Sequence, residues 1–187
     1  MKQQEDKNMK EFETKNLKIR RFKIEDVPDV HKNIATEKRL TECLGYNIHK
    51  SIRETEVMVE SFIKETEMNE FIWAIEEKDN SEVIGFINAS ERSDLNKVCK
   101  IKFGIALKKI NSGYMEEALK IVIDYLLNEK NFNVIVSESY DGCKKLSEVK
   151  GKFLESVGMT KEAILHNRKI NNKTGLPENK IIYSIIK

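Results

Sequence analysis

The stretch from Ile105 to Leu119 carries the sequence pattern that most clearly points to chemistry. A strand-like run ends in a short polar loop, and an amphipathic helical pattern begins directly after Gly113 in that loop. The first backbone N–H groups of a helix lack intrahelical partners, and the helix dipole adds positive potential there, so anions bind at this end. Glycine also lets the backbone approach a phosphate closely. The pattern predicts a phosphate site, although a lone glycine before a helix more often marks a simple turn.

Strand and helix patterns are mixed along the chain around this loop. Period-two runs predict strands over 17–22, 71–75, 83–88, 98–107, 133–139, 163–170 and 180–186. Periods near 3.6 predict helices over 24–35, 51–68, 113–130 and 144–157. The polar region 36–50, which contains Gly45, is predicted to be a loop. The fold class is therefore α/β (α+β), with one mixed, mostly antiparallel sheet of about six or seven strands and helices on both faces.

Composition restricts the range of functions. The chain has 187 residues, 33 of them basic and 31 acidic, so a generally basic nucleic-acid-binding surface is not expected. No apolar run approaches the roughly 20 residues that a membrane helix needs. Residues 1–15 are polar and lack the apolar core of a secretory signal. We expect a cytoplasmic protein with a flexible lead-in over residues 1–12 and one domain over residues 13–187.

The cysteines are few and far apart. Cys43, Cys99 and Cys143 are odd in number and show no zinc-binding spacing. We therefore expect free thiols rather than a disulfide framework, and no metal site.

Six segments in register resemble the GNAT superfamily, in the branch that includes N-acetyltransferases of ribosomal-protein N-termini. The segments are Glu13–Phe22, Trp73–Glu76, Glu82–Ile87, Gly113–Leu119, Gly158–Met159 and Tyr183–Lys187. The resemblance covers residues 13–187 and implies the GNAT fold, acetyl-CoA as the acetyl donor, and a monomer or homodimer. It implies as acceptor the primary amine of a protein N-terminus or of a small molecule. The alternative is a degenerate domain that binds acyl-CoA or a partner without turnover.

The same resemblance implies where the phosphates of acetyl-CoA bind. The family's pyrophosphate loop aligns with residues 108–113, just before the helix. Lys108 replaces the usual Gln or Arg, and Asn111 replaces the first glycine of the family loop. Asparagine tolerates a positive φ better than most residues, so the turn is expected to survive. The implied phosphate contacts are Lys108, Lys109, Ile110, Asn111, Ser112, Gly113 and Tyr114.

The resemblance also implies contacts to the pantetheine arm of the cofactor. Phe103, Gly104 and Ile105 occupy the strand that offers backbone groups to this arm and that separates from its neighbour at a bulge in the family. Gly104 suits such a bulge, and the other interpretation is a packing glycine in a crowded strand. The second family signature places Ser147 and Lys150 where the family has Asn and Ser, and both are predicted to contact the cofactor.

Catalytic candidates are harder to align. Leu154 stands where many GNAT enzymes have a tyrosine general acid, and Lys100 stands where some relatives have a glutamate. The remaining candidates are Glu138, Ser139 and Tyr140, at the end of the strand that neighbours the cofactor strand. A further one, His166, is expected to face the acceptor, while His31 and His49 are interpreted as surface residues. These departures from the family pattern motivate the non-catalytic alternative.

Overall fold

One eight-stranded mixed sheet forms the centre of the computed structural model, which describes residues 9–67, 71–93, 95–171 and 174–187. The strands lie in the order β1-β2-β3-β4-β5-β6-β8-β7. Within the described residues, β5 and β6 are the single parallel pair, and the other neighbours are antiparallel. The strands are β1 (Phe12–Glu13), β2 (Leu17–Arg21), β3 (Phe71–Glu77), β4 (Val83–Ser93), β5 (Val98–Ile105), β6 (Val134–Tyr140), β7 (Thr160–Ile170) and β8 (Pro177–Ile186).

The helices cover the two faces of this sheet. On one face, Ile72 and Phe86 from the sheet pack in a hydrophobic core with residues of the first three helices, such as Val59. On the other face, Trp73 belongs to a second core that includes Leu119 and further residues of the last two helices. The helices are α1 (Val27–Val30), α2 (Lys38–Leu44), α3 (Ile52–Glu67), α4 (Tyr114–Asp124) and α5 (Lys144–Ser156). The predicted fold class is confirmed, and the predicted helix end at Met68 lies outside the described residues.

Helix α2 corrects the prediction that 36–50 is a loop. The Glu37 side chain caps its first turn by accepting a hydrogen bond from the backbone N–H of Arg39. Leu40 is buried, and Leu44 packs against the same hydrophobic core. The helix ends at Gly45, whose φ of 77° is left-handed. A two-turn helix with two apolar residues in a polar sequence gives too weak a periodic signal to predict.

The N-terminal segment packs on the sheet from Met9 onward. Met9 and Phe12 are buried, and the indole Nε1 of Trp73 donates a hydrogen bond to the Lys10 carbonyl at 2.7 Å. Residues 9–12 of the expected flexible lead-in are therefore packed against the sheet. Residues 1–8 lie outside the described part of the chain. The two-residue strand β1 is too short to produce a sequence pattern.

Two histidines converge on a buried hydroxyl. Nδ1 of His31 lies 2.7 Å, and Nδ1 of His49 lies 2.9 Å, from Oγ1 of Thr55, which is fully buried in α3. Neither ring is therefore a freely solvated surface group, which corrects the interpretation from sequence. Burial lowers the pKa of His49. Among the described residues, no helix is long and apolar enough to cross a membrane.

Arg20 forms a buried ion network at the start of the fold. Its Nε donates to Glu76 at 2.6 Å, and its two terminal nitrogens donate to both carboxylate oxygens of Asp26 at 2.8 Å. All three side chains are almost fully buried, and the hydrogen bonds to Asp26 and then to Glu76 raise the pKa of the guanidinium. The network therefore fixes strand β2 to strand β3 and to the turn before α1.

Replacing Arg20 with leucine should lower the free energy of unfolding by about 3–5 kcal/mol, because two buried carboxylates lose their cation. Urea unfolding followed by circular dichroism measures the change. Arg53→Leu is the matched control: the Arg53 side chain is 67% exposed and pairs with Glu56, so its loss should leave the free energy of unfolding nearly unchanged. Equal losses in the two variants would contradict the structural role of the Arg20 network.

Candidate active site

The parallel strands β5 and β6 separate part-way along their length. Their pairing runs from Val98 opposite Val134 to Ile101 opposite Ser137, and Oγ of Ser137 donates to the Ile101 carbonyl at 3.2 Å. Beyond this rung, β5 pairs only with β4, and β6 pairs only with β8. We call the opening between the two strands the fork. Backbone N–H and C=O groups that face the fork have no hydrogen-bond partner in the neighbouring strand. A side chain, water or a ligand must form those hydrogen bonds instead.

Gly104 lies in the regular part of β5 and not at a bulge. It pairs in register with Phe86, and the register shift between β4 and β5 lies between Glu91 and Ser93. A Cβ at Gly104 would come within 2.9 Å of the Phe86 ring and 3.1 Å of the Leu44 side chain. The expected bulge was wrong, and the packing interpretation is correct. The absence of a side chain at Gly104 allows Leu44 of α2 to pack closely against β5.

Lys150 reaches into the fork from α5. Its Nζ donates a hydrogen bond to the carbonyl oxygen of Glu138 at 2.7 Å. Glu138 directly follows Ser137, the last residue of β6 that pairs with β5. The same ammonium lies 5.1 Å from the centroid of the Phe103 ring. Lys150 therefore occupies the space in which the next strand-to-strand hydrogen bond would otherwise form.

The environment lowers the pKa of Lys150 to about 8. Desolvation is the largest cause, and the positive charges of Lys100 and Lys102 act in the same direction, while Glu138 opposes them. A lysine with this pKa carries a proton in about half of the molecules at pH 8 and can exchange it during a reaction near neutral pH. The lowered pKa makes loss of a proton near neutral pH easier than for an exposed lysine.

A small cleft of about 60 Å³ adjoins the fork. One wall is Gly104 and Ile105 with Phe103, the second is α5 with Lys150, and the third is α2 with Cys43. The complete lining is Leu40, Cys43, Leu44, Phe103, Gly104, Ile105, Ile110, Leu146, Val149, Lys150 and Phe153. The cleft is thus apolar apart from one lysine and one sulfur.

A disulfide joins two walls of this cleft. Cys43 in α2 is bonded to Cys143 in the turn before α5, with their Cα atoms 5.6 Å apart across 100 residues of sequence. The expectation of three free thiols was therefore wrong for two of them, because the unpredicted helix α2 brings Cys43 to that turn. Cys99 is buried and forms no disulfide, as expected.

The catalytic candidates of β6 diverge to opposite faces, as alternation along a strand requires. Ser139 turns toward α5, where its Oγ lies 3.3 Å from Oγ of Ser147. Glu138 turns to the other face and accepts from Lys100 at 2.5 Å and from Lys180 at 3.2 Å. Tyr140 lies with Lys180 5.7 Å from its ring centroid. The three side chains therefore do not form one catalytic unit.

Ion pairing determines the charge state of Glu138. Burial alone would raise the pKa of this carboxyl, but the ammonium groups of Lys100 and Lys180 outweigh burial and lower it. A carboxylate with a lowered pKa is a poor general base at neutral pH. Glu138 is suited to positioning the two lysines.

Gly113 starts helix α4 from a left-handed conformation. Its φ is 79°, and a Cβ placed on it would meet no atom within 4 Å. Asn111 is exposed and is not among the described residues with positive φ, so the turn does not require it to adopt the strained conformation. Ser112 closes the loop by donating to the Lys109 carbonyl at 2.7 Å. The start of α4 is consequently open for a ligand to approach.

Both loop lysines are paired with carboxylates. Lys108 donates to both oxygens of Glu82 at 2.9 Å, and Lys109 donates to Glu77 at 2.6 Å. Hydrogen bonds from Lys32 and then from Lys108 lower the pKa of Glu82 to about 2. The Lys109 ammonium also lies 5.6 Å from the ring centroid of Tyr114. Phosphate binding by either lysine requires an exchange of its carboxylate partner.

Other regions fit the chemistry less well. His166 is exposed on the edge strand β7, and the structure does not bring it to the cleft. A larger, open depression of about 530 Å³ lies beside Lys18 and Glu76 at the other edge of the sheet, where these charges pair with each other at 3.6 Å. Within the described ranges, no group of three or more His, Cys, Asp or Glu residues could hold a metal ion.

A mixed sheet whose one parallel pair opens beside a glycine-started helix defines the fold of the GNAT acetyltransferases. Residues 16–145 match the family model described as acetyltransferase (GNAT) domain, and the chain belongs to this family. It is an acetyltransferase, and its acetyl donor is acetyl-CoA.

Three relatives illustrate the similarity. The uncharacterized N-acetyltransferase YoaA from Bacillus subtilis (strain 168) is 23% identical over 177 residues, which cover 94% of this chain and 96% of YoaA. A GNAT-family acetyltransferase structure from Bacillus anthracis has a TM-score of 0.80 at 15% identity, with 95% and 98% of the chains covered. The ribosomal-protein-S5-alanine acetyltransferase from Vibrio fischeri has a TM-score of 0.77 at 17% identity, with 95% and 96% covered.

Two features of the site were not foreseen from sequence. Lys150 was expected to contact the cofactor, but its desolvated ammonium depends on the fork and on Lys100 and Lys102, which a linear pattern does not display. The α2 wall with Cys43 was missed altogether. The pair of Leu40 and Leu44, four residues apart before Gly45, was the one available signal.

Gly113→Val should weaken acetyl-CoA binding at least about tenfold, because a β-branched residue is strained at a φ of 79° and places carbon atoms where a phosphate would approach. Isothermal titration with acetyl-CoA measures this. Gly175→Val is the matched control, since Gly175 has a φ of 68°, an equally open Cβ position and a location in the distant β7–β8 loop. Unchanged affinity in Gly113→Val would show that the phosphates of acetyl-CoA do not bind at this loop.

Proposed function

We propose that this chain is an N-acetyltransferase that transfers the acetyl group of acetyl-CoA to a primary amine of a protein N-terminus or small molecule. The observation that carries the proposal is the Lys150 ammonium in the fork between β5 and β6, where it donates a hydrogen bond to the Glu138 carbonyl. The fork offers extended backbone to a chain-like ligand, and the lysine offers a proton. Acyl transfer from a thioester to an amine uses both.

The residues of the fork and loop suit acetyl-CoA. We assign its phosphates to the backbone at residues 109–114, because Gly113 leaves the start of α4 open. We assign the pantetheine arm to the free edge of β5 at Phe103, Gly104 and Ile105, which has no partner in β6. Ser139 and Ser147 add hydroxyls on the α5 side of the fork.

Lysine exchange complements the backbone contacts. The Lys108–Glu82 pair is at the surface, with the lysine side chain 45% exposed, so releasing Lys108 to a phosphate costs little. Glu82 keeps Lys32 as a partner at 2.7 Å after this exchange. Lys109 is less exposed and lies over Tyr114, and we expect it to remain with Glu77.

Bound acetyl-CoA supplies an activated acetyl group on a thiolate leaving group. We assign to Lys150 the transfer of a proton from its Nζ to the sulfur that leaves, because its ammonium is desolvated and its pKa is about 8. The same positive charge stabilises negative charge as it develops in the cleft. Glu138 holds Lys100 and Lys180 through ion pairs, and Leu154 in the core takes no part.

The size of the cleft favours a short acyl group. The cleft is small, about 60 Å³, and α2 closes one side of it. A long acyl chain would need α2 to move away. This supports acetyl rather than fatty-acyl transfer.

The charge around Lys150 favours an acceptor with a nearby anionic group. Lys100 and Lys180 pair with the Glu138 carboxylate, and the positive charges of Lys100 and Lys102 act on the Lys150 ammonium. A polycationic amine would be repelled there, whereas a peptide N-terminus followed by acidic residues would be attracted. Among the two acceptor types, we therefore favour amines that carry carboxylates or phosphates close to the reactive nitrogen.

A peptide series tests this acceptor. Peptides that begin Ala-Asp or Ala-Glu should release CoA thiol with a kcat/KM at least about tenfold above those that begin Ala-Lys, and added salt should reduce the difference. Spermidine, a small polycation, is the opposing small-molecule probe. Equal rates for acidic and basic peptides would refute the charge preference. Tight acetyl-CoA binding with no thiol release from any amine would replace the proposal with a domain that binds acyl-CoA without turnover.

Lys150→Met should lower kcat by about 100-fold or more while the Kd for acetyl-CoA changes far less, because a proton donor is lost. In the wild type, the rate should rise with pH as the acceptor amine deprotonates and fall as Lys150 loses its proton above about pH 8. Lys150→Met should lack that fall. Thiol-release assays from pH 6 to 10 measure kcat and its pH dependence in both proteins.

Two control variants separate proton transfer from charge and from packing. Lys150→Arg keeps the positive charge but cannot donate a proton in this pH range, so it should not restore kcat. Tyr140→Phe should stay within a few-fold of wild type, since Tyr140 lies on the face away from Ser139 and α5. Full activity in Lys150→Arg would exclude the general-acid role and leave an electrostatic one.

A further inference from the structure

We propose that Cys43 is a site of covalent modification by coenzyme A: the free thiol of CoA exchanges with the Cys43–Cys143 disulfide and forms a mixed disulfide at Cys43. The proposal relies on the placement of the pantetheine arm given above. In this second reaction of the cleft, CoA, the product of acetyl transfer, becomes covalently attached to the protein.

The position of Cys43 motivates this step. Cys43 lines the same cleft as Gly104, Ile105 and Lys150, so a pantetheine arm along β5 brings its terminal sulfur to this wall. Cys143 is not among the residues that line the cleft. A thiol in the cleft therefore meets the Cys43 side of the disulfide first, and proximity of this kind accelerates thiol exchange.

The other half of the disulfide is a good leaving group. Cys143 occupies the N-cap position of α5, a helix of 13 residues, where the helix dipole stabilises a thiolate. Exchange is faster when the departing sulfur is the more stable thiolate. Location and electrostatics thus select the same direction, with attack at Cys43 and departure of Cys143.

The anchoring of the two sides determines what moves. The turn Asp141–Cys143 is tied to β8, because the backbone N–H and side-chain amide of Asn179 donate to Asp141 at 2.9 and 2.8 Å. The short helix α2 rests on Leu40 and Leu44 and on the disulfide. Exchange would release α2 from the turn and leave the pantetheine arm bonded to it, across the cleft.

The exchange balances without an external oxidant. The CoA thiol loses its proton to solvent, and its thiolate attacks Sγ of Cys43. One sulfur–sulfur bond forms between CoA and Cys43, while the bond between Cys43 and Cys143 breaks and its electron pair leaves with Cys143 as a thiolate. Acetyl-CoA cannot react in this way because its sulfur is acylated. A dithiol reductant reverses the modification by a second exchange of the same kind.

Mass spectrometry on the full-length oxidised protein tests the proposal. The protein is purified without reductant, and alkylation under denaturing conditions should block only Cys99. It is then incubated with CoA, acetyl-CoA or glutathione at equal concentration and quenched with acid. CoA should add one CoA moiety, mapped to Cys43, roughly tenfold or more faster than glutathione adds. Acetyl-CoA should add nothing, and dithiothreitol should remove the adduct.

Two variants and a binding measurement make each outcome decisive. Cys43→Ser should form no adduct, and Cys143→Ser should be unmodified by CoA but labelled at Cys43 by the preformed CoA disulfide; circular dichroism checks that both fold. Adducts at Cys143, equal rates for CoA and glutathione, or two further alkylated cysteines in the starting protein would each overturn the proposal. If isothermal titration shows that acetyl-CoA binds but CoA forms no adduct, only the proposed modification of Cys43 is overturned. If acetyl-CoA does not bind, the proposed cofactor placement is overturned as well.

Discussion

The site depends on one backbone constraint: β5 and β6 stop pairing after Ile101 and Ser137. Hydrogen-bonding groups beyond that rung lose their strand partner, and buried polar groups must be satisfied in another way. The protein satisfies the Glu138 carbonyl with Lys150 and leaves the edge of β5 to a ligand. The end of the pairing thus brings the Lys150 ammonium into apolar surroundings, and the pantetheine arm is proposed to bind at the same place.

Helix packing maintains this separation. Leu44 lies against Gly104 on one face of β5, and Phe153 lines the cleft from the other side. The Cys43–Cys143 bond then connects the two helical layers at the open end of the sheet. Cleft geometry is consequently set by α2 and α5 together, and a change in either affects the cofactor side and the acceptor side at once.

Sequence predicted the fold well, because its signals are long and periodic. The helix that begins after Gly113 and the strands on either side of it show clear periods, and the structure pairs these two strands in parallel. The charge pattern of the site was beyond reach, since Lys100, Glu138 and Lys180 come from three strands that only the sheet order brings together. The family resemblance implied a bulge that Gly104 would suit, but the close approach of Leu44 explains that glycine instead.

The paired state of the loop lysines has a consequence for selectivity. In the ligand-free protein, Lys108 and Lys109 are already neutralised by Glu82 and Glu77, so the loop presents little bare positive charge to passing anions. Charge alone therefore gives this loop little attraction for inorganic phosphate or a stray nucleotide. In the proposed placement, acetyl-CoA adds the contacts of its long arm in the fork, so the loop would discriminate by ligand length rather than by charge.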